Sequence, residues 1–503
     1  MVRILIFSLC FLFSVVGKAQ NEGDVLFGGS SIHDIELSFW QTNYWDTLTQ
    51  HYLTDTYIPC HMTVNGVPFD SIGIKFKGNS SYNNPSDKKS FKIDMNEYIS
   101  GQKIDGLKKL NLNNGFKDPT FMREKVFLDF LQNNGIPAPR CTYARVHING
   151  TYWGLYMLVE EVNKKFLDLR FGNDTGNLFK GDPQGDLKWL GPSPSLYYPK
   201  YELKTNESQN DWSDLVAFIN ALNNATSQGL YDSILQHFHA NTYFSAWAAH
   251  NLFVNLDSYM GSGHNYFIYH DASHDRFEWI TWDVNEAFGG FQMGMTVPQL
   301  EQLSMYYIPS PSSNRPLNQK LLSNTTYKSE YTLVMCDLIH HKLDLTKLFA
   351  QIDSLADVIR PSVQSDTKKF FTNQQFEDNI HQDISVPMNP GAPVIPGLKS
   401  FIQARVDFLV AELEQQLCFA STDYHSSNQF MNVYPLPAHS HLFIDYGSSQ
   451  QDILFLLDSS GKLVATYPSG TTTIDITEFA SGLYILQVGN NPVIQKKIVI
   501  APR

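Results

Sequence analysis

The chain is short of charge and of cysteine. Charged residues are 17% of its 503 residues, against about a quarter in an ordinary soluble domain. Of five cysteines, Cys10 lies in the first apolar run, and Cys60, Cys141, Cys336 and Cys418 stand far apart with no CxxC pair. That spacing excludes a zinc ribbon, and so few cysteines in so long a chain exclude a disulfide framework. Buried thiols and a single bridge both remain open. Basic residues are scarce too: 37 Lys and Arg face 50 Asp and Glu, for a formal net charge of −13. An acidic chain is a poor generic binder of nucleic acid or anionic membrane. No GxxxxGKS/T, complete GxGxxG, HExxH or GxSxG occurs, which removes the simplest P-loop, dinucleotide, zincin and hydrolase readings. Beyond the first 20 residues no apolar run approaches the roughly 18 residues of a membrane helix.

What is present begins with an address. Met1–Ala19 carries Arg3, an apolar run from Ile4 to Val16, and then Gly17-Lys18-Ala19. This is the pattern of a secretory signal peptide. Hydrophobic residues at 43% and aromatic residues at 13% exclude a mainly disordered chain. Three blocks follow. The first, to about Gly181, reads as strands: Ile35–Phe39 alternates, Met62–Val67 turns at Asn65-Gly66, Ser71–Lys77 and Ser90–Asp94 flank a polar loop at Gly78–Asp87, and Thr142–Val159 turns at Asn149-Gly150. Asn-Gly accepts the positive φ angles of a tight hairpin turn. One helix is predicted over Pro119–Asn133, with Met122, Val126, Phe127 and Phe130 as its apolar stripe. The second block, to Leu417, is mostly helical, with a hairpin at Asn265–Trp282 and a long last helix from Leu398. The third, Asn432–Arg503, has short, evenly spaced strands, as a small β-sandwich does.

Two features of these blocks suit phosphoryl transfer. The reaction needs cations on the phosphates, oxygen ligands on Mg²⁺ and a residue to orient the acceptor hydroxyl. Lys75, Lys77, Lys88, Lys89 and Lys92 crowd one stretch of an acidic protein, and the intervening loop offers backbone N–H groups and the hydroxyls of Ser80 and Ser81. In the second block Asp257 follows an apolar helix end, Asn265 opens the hairpin, and Asp283 closes it ahead of Phe288-Gly289. Hard cations take such oxygen ligands. His270, Asp271, His274 and Asp275 also cluster, but at a turn, where polar residues collect anyway. Glu160 and Glu161 are adjacent on a predicted strand and point to opposite faces, so they do not form a glycosidase pair.

The ordered set of motifs resembles the spore-coat protein H (CotH) kinase family of secreted, atypical protein kinases. The resemblance runs through Ile74–Ser81, Lys88–Lys92, Leu110–Asn113, Met122–Lys125, Gly135–Pro139, Ile148–Tyr156 and Asn177–Lys180, then Asp257, Asn265–Tyr269 and Trp282–Asn285. It implies an α+β chain with a two-lobed, atypical protein-kinase-like fold: a β-rich N-lobe at about 30–181 and a mainly helical C-lobe at about 182–420. It implies use of ATP with Mg²⁺ or Mn²⁺ on an extracytoplasmic protein substrate. Carried over, Asp257 orients the acceptor hydroxyl, and Asn265 and Asp283 hold the metal. Lys92, or else Lys77, contacts the phosphates, Glu124 pairs with that lysine, and Glu160 lies near the interlobe hinge. The resemblance departs at Asn285, where the family usually has Asp; the amide keeps an oxygen but loses the charge, which implies a weaker metal site.

After a linker at 421–431, residues 432–503 resemble the C-terminal sorting domain of the type IX secretion system, through Val433-Tyr-Pro, Gly461-Lys-Leu-Val464 and Ser481–Leu486. This implies the secretion machinery as a partner and a secreted or cell-surface location. A non-catalytic surface adhesin or assembly protein on a kinase-like scaffold is the competing expectation.

Overall fold

A computed structural model of the chain describes residues 21–414, apart from 30, 227–228 and 387–390, and most of 432–500. The expected signal peptide at 1–19 and linker at 421–431 lie outside the described residues. Strands β1 (Ile32–Ser38), β2 (Ile58–Val64), β3 (Val67–Lys77), β4 (Ser90–Asp94), β5 (Lys109–Asn113), β6 (Cys141–Ile148) and β7 (Thr151–Glu160) form a closed barrel in the order β1-β2-β3-β4-β5-β7-β6. Both Asn-Gly turns are where they were expected. Asn65 and Gly66 have φ of 50° and 82°, and Asn149 and Gly150 of 49° and 78°, the left-handed backbone that two-residue hairpins require. Closure comes from β1 running parallel to β6, with Ile32 opposite Tyr143 and Leu37 opposite Ile148. It leaves the strands no free edge. Alternation sends Leu110 and Leu112 of β5 into the barrel core and Asn111 and Asn113 to the outside.

The predicted first-block helix spans Arg123–Asn133 and is buried nearly all round, including Arg123, Glu124 and Lys125. It lies between the barrel and the helical body. The Phe127 ring stands edge-on to His250 at 5.1 Å and Phe253 at 5.3 Å, and Phe130 meets Phe253 at 4.9 Å. The charged residues of its first turn are therefore enclosed and must find partners. Arg123 bonds Asp118 at 2.7 Å, Asn379 at 2.9 Å and the Pro396 carbonyl at 2.7 Å.

The helical body surrounds a four-stranded sheet of order β11-β10-β8-β9, built from β8 (Leu178–Lys180), β9 (Glu202–Leu203), β10 (Tyr266–Asp271) and β11 (Arg276–Thr281). The last helix is described over Leu398–Glu414, and its expected stripe of Leu398, Ile402, Arg405, Leu409 and Leu413 is buried. Arg405 donates to the carbonyls of Glu301, Leu303 and Asn251 at 2.7, 2.8 and 3.2 Å, tying the 301–303 segment and the end of the helix Ala240–Leu252 to the last helix. Residues 432–500 form a three-stranded and a four-stranded sheet that share one apolar core. The smaller sheet rests on the β10–β11 hairpin, with Arg276 over the Phe443 ring at 5.8 Å. Cys60 and Cys141 are free and buried, and Cys336 is disulfide-bonded. Among the described residues, no helix is long and apolar enough to cross a membrane.

Barrel and helical body are tied by buried charge. Lys88 pairs with Asp366, both side chains fully buried. Asp366 also accepts the Leu155 N–H at 3.0 Å. Lys117 pairs with Glu286 at 2.9 Å. A buried cation left without its counter-ion is costly, so Asp366→Ala should lower unfolding free energy by about 3–5 kcal/mol. Urea denaturation of the full chain measures this. A loss below about 1 kcal/mol would show that the pair does not hold the two bodies together.

Candidate functional site

The strand β3 ends at Lys77, and there the barrel faces the helical body. The Lys77 ammonium donates to Asn111 Oδ1 and Asn113 Oδ1, each at 3.0 Å. Behind these amides stand two carboxylates. Asn111 Nδ2 donates to Glu161 at 2.7 Å, and Asn113 Nδ2 donates to both oxygens of Glu124 at 2.9 and 3.0 Å. Lys92 pairs directly with Glu161 at 2.6 Å. The Trp282 ring lies 5.3 Å from the Lys77 ammonium, a favourable face for a cation.

From the helical body, Asp283 comes within electrostatic reach of Lys77, Glu124 and Asp257. Its backbone φ is 52° and that of Asn265 is 59°, left-handed values that Asn and Asp tolerate better than most residues and that concentrate at working sites. Among the described residues none donates a hydrogen bond to the Asp283 carboxylate. Asp257 is held from two sides: His264 Nε2 contacts its Oδ1 at 2.7 Å, and Asn265 Nδ2 donates to its Oδ2 at 3.1 Å and its carbonyl at 2.8 Å.

Burial and mutual charge shift these groups strongly. Burial lowers Lys77 to about 8, against the opposing pull of Asp283 and Glu161. Burial, then the nearby Asp283 charge, raises Glu124 to about 7. Asp283 is raised, chiefly by burial, with Lys77 opposing and Asp257 adding to it. Burial would raise Glu161 as well, but Lys92 and the hydrogen bonds from Lys92 and Asn111 outweigh it and hold the group at about 2. Such a gathering of perturbed groups makes this region the candidate site.

The structure thus brings Lys77, Lys92, Glu124, Asp257, Asn265 and Asp283 into one cleft. It does not bring Glu160 there. That carboxylate is enclosed by Arg140 at 2.6 Å and Arg170 at 3.0 Å, and the next residue, Glu161, faces the lysines. Ser80 and Ser81 form a helical turn, Ser80–Asn83, just past Lys77. The loop is pinned rather than flexible: Tyr82 stacks on Tyr52 at 3.4 Å, and the Tyr52 hydroxyl donates to the Gly78 carbonyl at 2.6 Å. The lysine cluster also divides. Lys75 pairs with Asp55, Lys88 with Asp366, and Lys89 caps the carbonyls of Tyr82 and Asn84. Only Lys77 and Lys92 of the five reach the cleft. Sequence reasoning missed Glu161, His264, Trp282 and Lys180, the last paired with Asp182 and within electrostatic reach of Asp283. Strand alternation at Glu160-Glu161 was the one available signal. His270 contacts Asp275 and, on the helix Ser213–Asn224, Asp214, and His274 contacts Asp271. Among the described residues, no three His, Cys, Asp or Glu side chains are grouped to hold a metal ion.

Asn285, two residues past Asp283, turns its amide nitrogen towards the barrel. Its Nδ2 donates to the Phe116 carbonyl at 3.1 Å, and Glu286 beside it grips Lys117. The residue that departs from the family pattern is a tie to the barrel's 114–118 loop.

Comparison with known proteins agrees with this arrangement of motifs. A family model described as CotH kinase protein matches residues 74–386, and one described as secretion system C-terminal sorting domain matches residues 432–501. The chain is 24% identical over 352 residues to inner spore coat protein H of Bacillus subtilis (strain 168), covering 69% of this chain and 90% of that protein. It is 21% identical over 317 residues to invasin CotH2 of Rhizopus delemar and 20% identical over 342 residues to invasin CotH3, covering 59% and 64% of this chain. It spans 53% and 57% of those two invasins. Among solved structures, the Helicobacter pylori proinflammatory kinase CtkA aligns with a TM-score of 0.31 at 10% identity, over 61% of this chain and 91% of that one.

Because an aspartate at 285 cannot donate to the Phe116 carbonyl, Asn285→Asp should cost about 1–3 kcal/mol. Chemical denaturation reads the loss. Unchanged or increased stability would mean that this amide does not tie the two bodies.

Proposed function

The chain belongs to the CotH kinase protein family, and on that premise we propose that it transfers the γ-phosphate of ATP to Ser or Thr hydroxyls of an extracytoplasmic protein. The observation that carries the reading is that Asp283 of the helical body lies within electrostatic reach both of Lys77 of the barrel and of Asp257. The cation comes from the barrel, and the acids come from the loops around β10 and β11. The C-terminal sorting domain points to secretion or the cell surface through the type IX machinery. The 1–19 leader, the division into lobes at about residue 181 and the boundary at 432 belong to the same proposal.

The donor set fits a divalent cation. Asp283 offers a carboxylate without a protein hydrogen bond, and Asn265 keeps Oδ1 free while its Nδ2 is occupied. Two such oxygens make an incomplete cage, and that suits Mg²⁺, which keeps waters and takes substrate phosphates as its remaining ligands. A bound ion of this kind neutralises charge on the β- and γ-phosphates. Lys77 binds a phosphate oxygen, and Lys92 stands beside it, tied to Glu161. Asp257, oriented by His264 and Asn265, accepts the acceptor hydroxyl's proton as its oxygen bonds to the γ-phosphorus. The bond from that phosphorus to the β-phosphate oxygen breaks, and ADP leaves.

Two relatives are invasins, which supports a second reading, a surface adhesin or assembly protein on the same scaffold. Nucleotide binding separates the two. Incubated with labelled ATP, Mg²⁺ or Mn²⁺ and an acceptor, the wild-type chain should transfer phosphate, and Asp257→Ala and Asp283→Ala should lose about 10²-fold or more of the rate. With nucleotide at 100 times its Kd, the wild type should gain about 2.7 kcal/mol of stability. No transfer above the Asp283→Ala level and no stabilisation by any nucleotide would favour the adhesin.

The pH dependence has a definite sign. Lys77 loses its positive charge as pH rises through about 8, and Glu124 gains negative charge as pH rises through about 7. Both changes make the cleft more repulsive to phosphate. Affinity for ATP should therefore fall between pH 7 and pH 9, as followed by calorimetry. A flat or rising profile would remove Lys77 from the phosphate site.

A further inference from the structure

We infer that Asn111 and Asn113 are positioning residues that hold the Lys77 ammonium in the cleft without neutralising it, each by setting an amide between that cation and a carboxylate. The inference rests on the phosphotransfer reading above and names the residues that keep its phosphate-binding cation charged.

The geometry is nearly symmetrical. Asn111 and Asn113 are two apart on β5 and share one face. Each turns its oxygen to Lys77 at 3.0 Å and its NH₂ group to a carboxylate, Asn111 to Glu161 at 2.7 Å and Asn113 to Glu124 at 2.9 and 3.0 Å. A lysine has three donors and no acceptor, and an amide has both kinds of group. An amide can therefore satisfy the cation at one end and the carboxylate at the other while keeping the two charges apart. Lys92, on the neighbouring strand β4, shows the alternative: it touches Glu161 directly at 2.6 Å, and that contact pairs its charge within the protein. Lys77 has two amide oxygens and, among the described residues, no third acceptor, so one N–H is available to an anion. The two lysines of the cleft thus differ in kind. Lys92 anchors Glu161, and Lys77 is the one presented to phosphate.

The test moves one charge and changes little else. In the double variant Asn113→Asp with Glu124→Gln, the heavy-atom count is unchanged and, at a pH above the value near 7 where Glu124 ionises, so is the net charge. The carboxylate now touches Lys77, and the amide lies behind it. Binding of Mg·ATP to the full chain is measured by calorimetry, together with KM and kcat on an acceptor. Affinity should fall at least about tenfold, as expected for closing a charge pair against the ligand, and KM for ATP should rise more than kcat falls. The single variant Asn113→Asp, which sets the same carboxylate against Lys77, serves if the first does not fold. A folded variant that binds Mg·ATP within about twofold of wild type overturns the inference and leaves the kinase reading standing. Wild-type protein that binds no Mg·ATP overturns that reading and the inference with it.

Discussion

An ammonium group shielded from most of its water must be held by oxygen, and much of the site is arranged around that requirement at Lys77. Lys77 ends one barrel strand, and β5 supplies the two amide oxygens. The helix Arg123–Asn133 supplies Glu124 behind one amide, and the residue after β7 supplies Glu161 behind the other. The helical body supplies Trp282 and Asp283 from the far side. Desolvation pulls Lys77 down to about 8, and the surrounding acids oppose it. The cation is kept charged by dipoles and distant carboxylates, which leaves it able to bind an anion.

Such an arrangement survives only if its parts cannot drift. Among the ties that join the barrel to the helical body are Lys88 with Asp366, Lys117 with Glu286, Asn285 with the Phe116 carbonyl, and Arg123 with Asn379 and Pro396. Two of them, at Asn285 and Glu286, lie two and three residues past Asp283. They set the position of the acidic loop against the barrel. The rings of Phe127, Phe130, Phe253 and Phe288 fill the space behind. Preorganisation of this kind costs buried charge, and the cost is tolerable because nearly every such group has a partner.

Much of the local structure was legible. Asn65-Gly66 and Asn149-Gly150 announced their hairpins because few residues accept two positive φ angles in a row. The stripe Met122, Val126, Phe127 and Phe130 announced its helix through spacing. Asp257, Asn265 and Asp283 were picked out by where they stand, at the ends of apolar elements, and the fold gathers them. The errors were of another kind. Glu160 and Glu161 are equivalent in composition and differ only in which side of β7 each faces. Five lysines in one stretch suggested a single basic island, yet three of them close internal pairs. Asn285, whose place in the chain suggested only a weakened metal ligand, also ties the acidic loop to the barrel through its amide nitrogen.

Sequence alone determined what depends on neighbours along the chain: which segments are strands and helices, where the hairpins turn, the apolar leader, and the ordered motifs that mark the family. Only the tertiary structure decided which charged groups meet. Closing the barrel sets β5 between β4 and β7, and packing the Arg123–Asn133 helix against β6 carries Glu124 to Asn113. Those contacts join residues up to about 280 positions apart, as Lys88 and Asp366 are. A lysine's role depends on which oxygen lies within 3 Å of it, and that distance is set by the packing of both bodies rather than by the lysine's place in the chain.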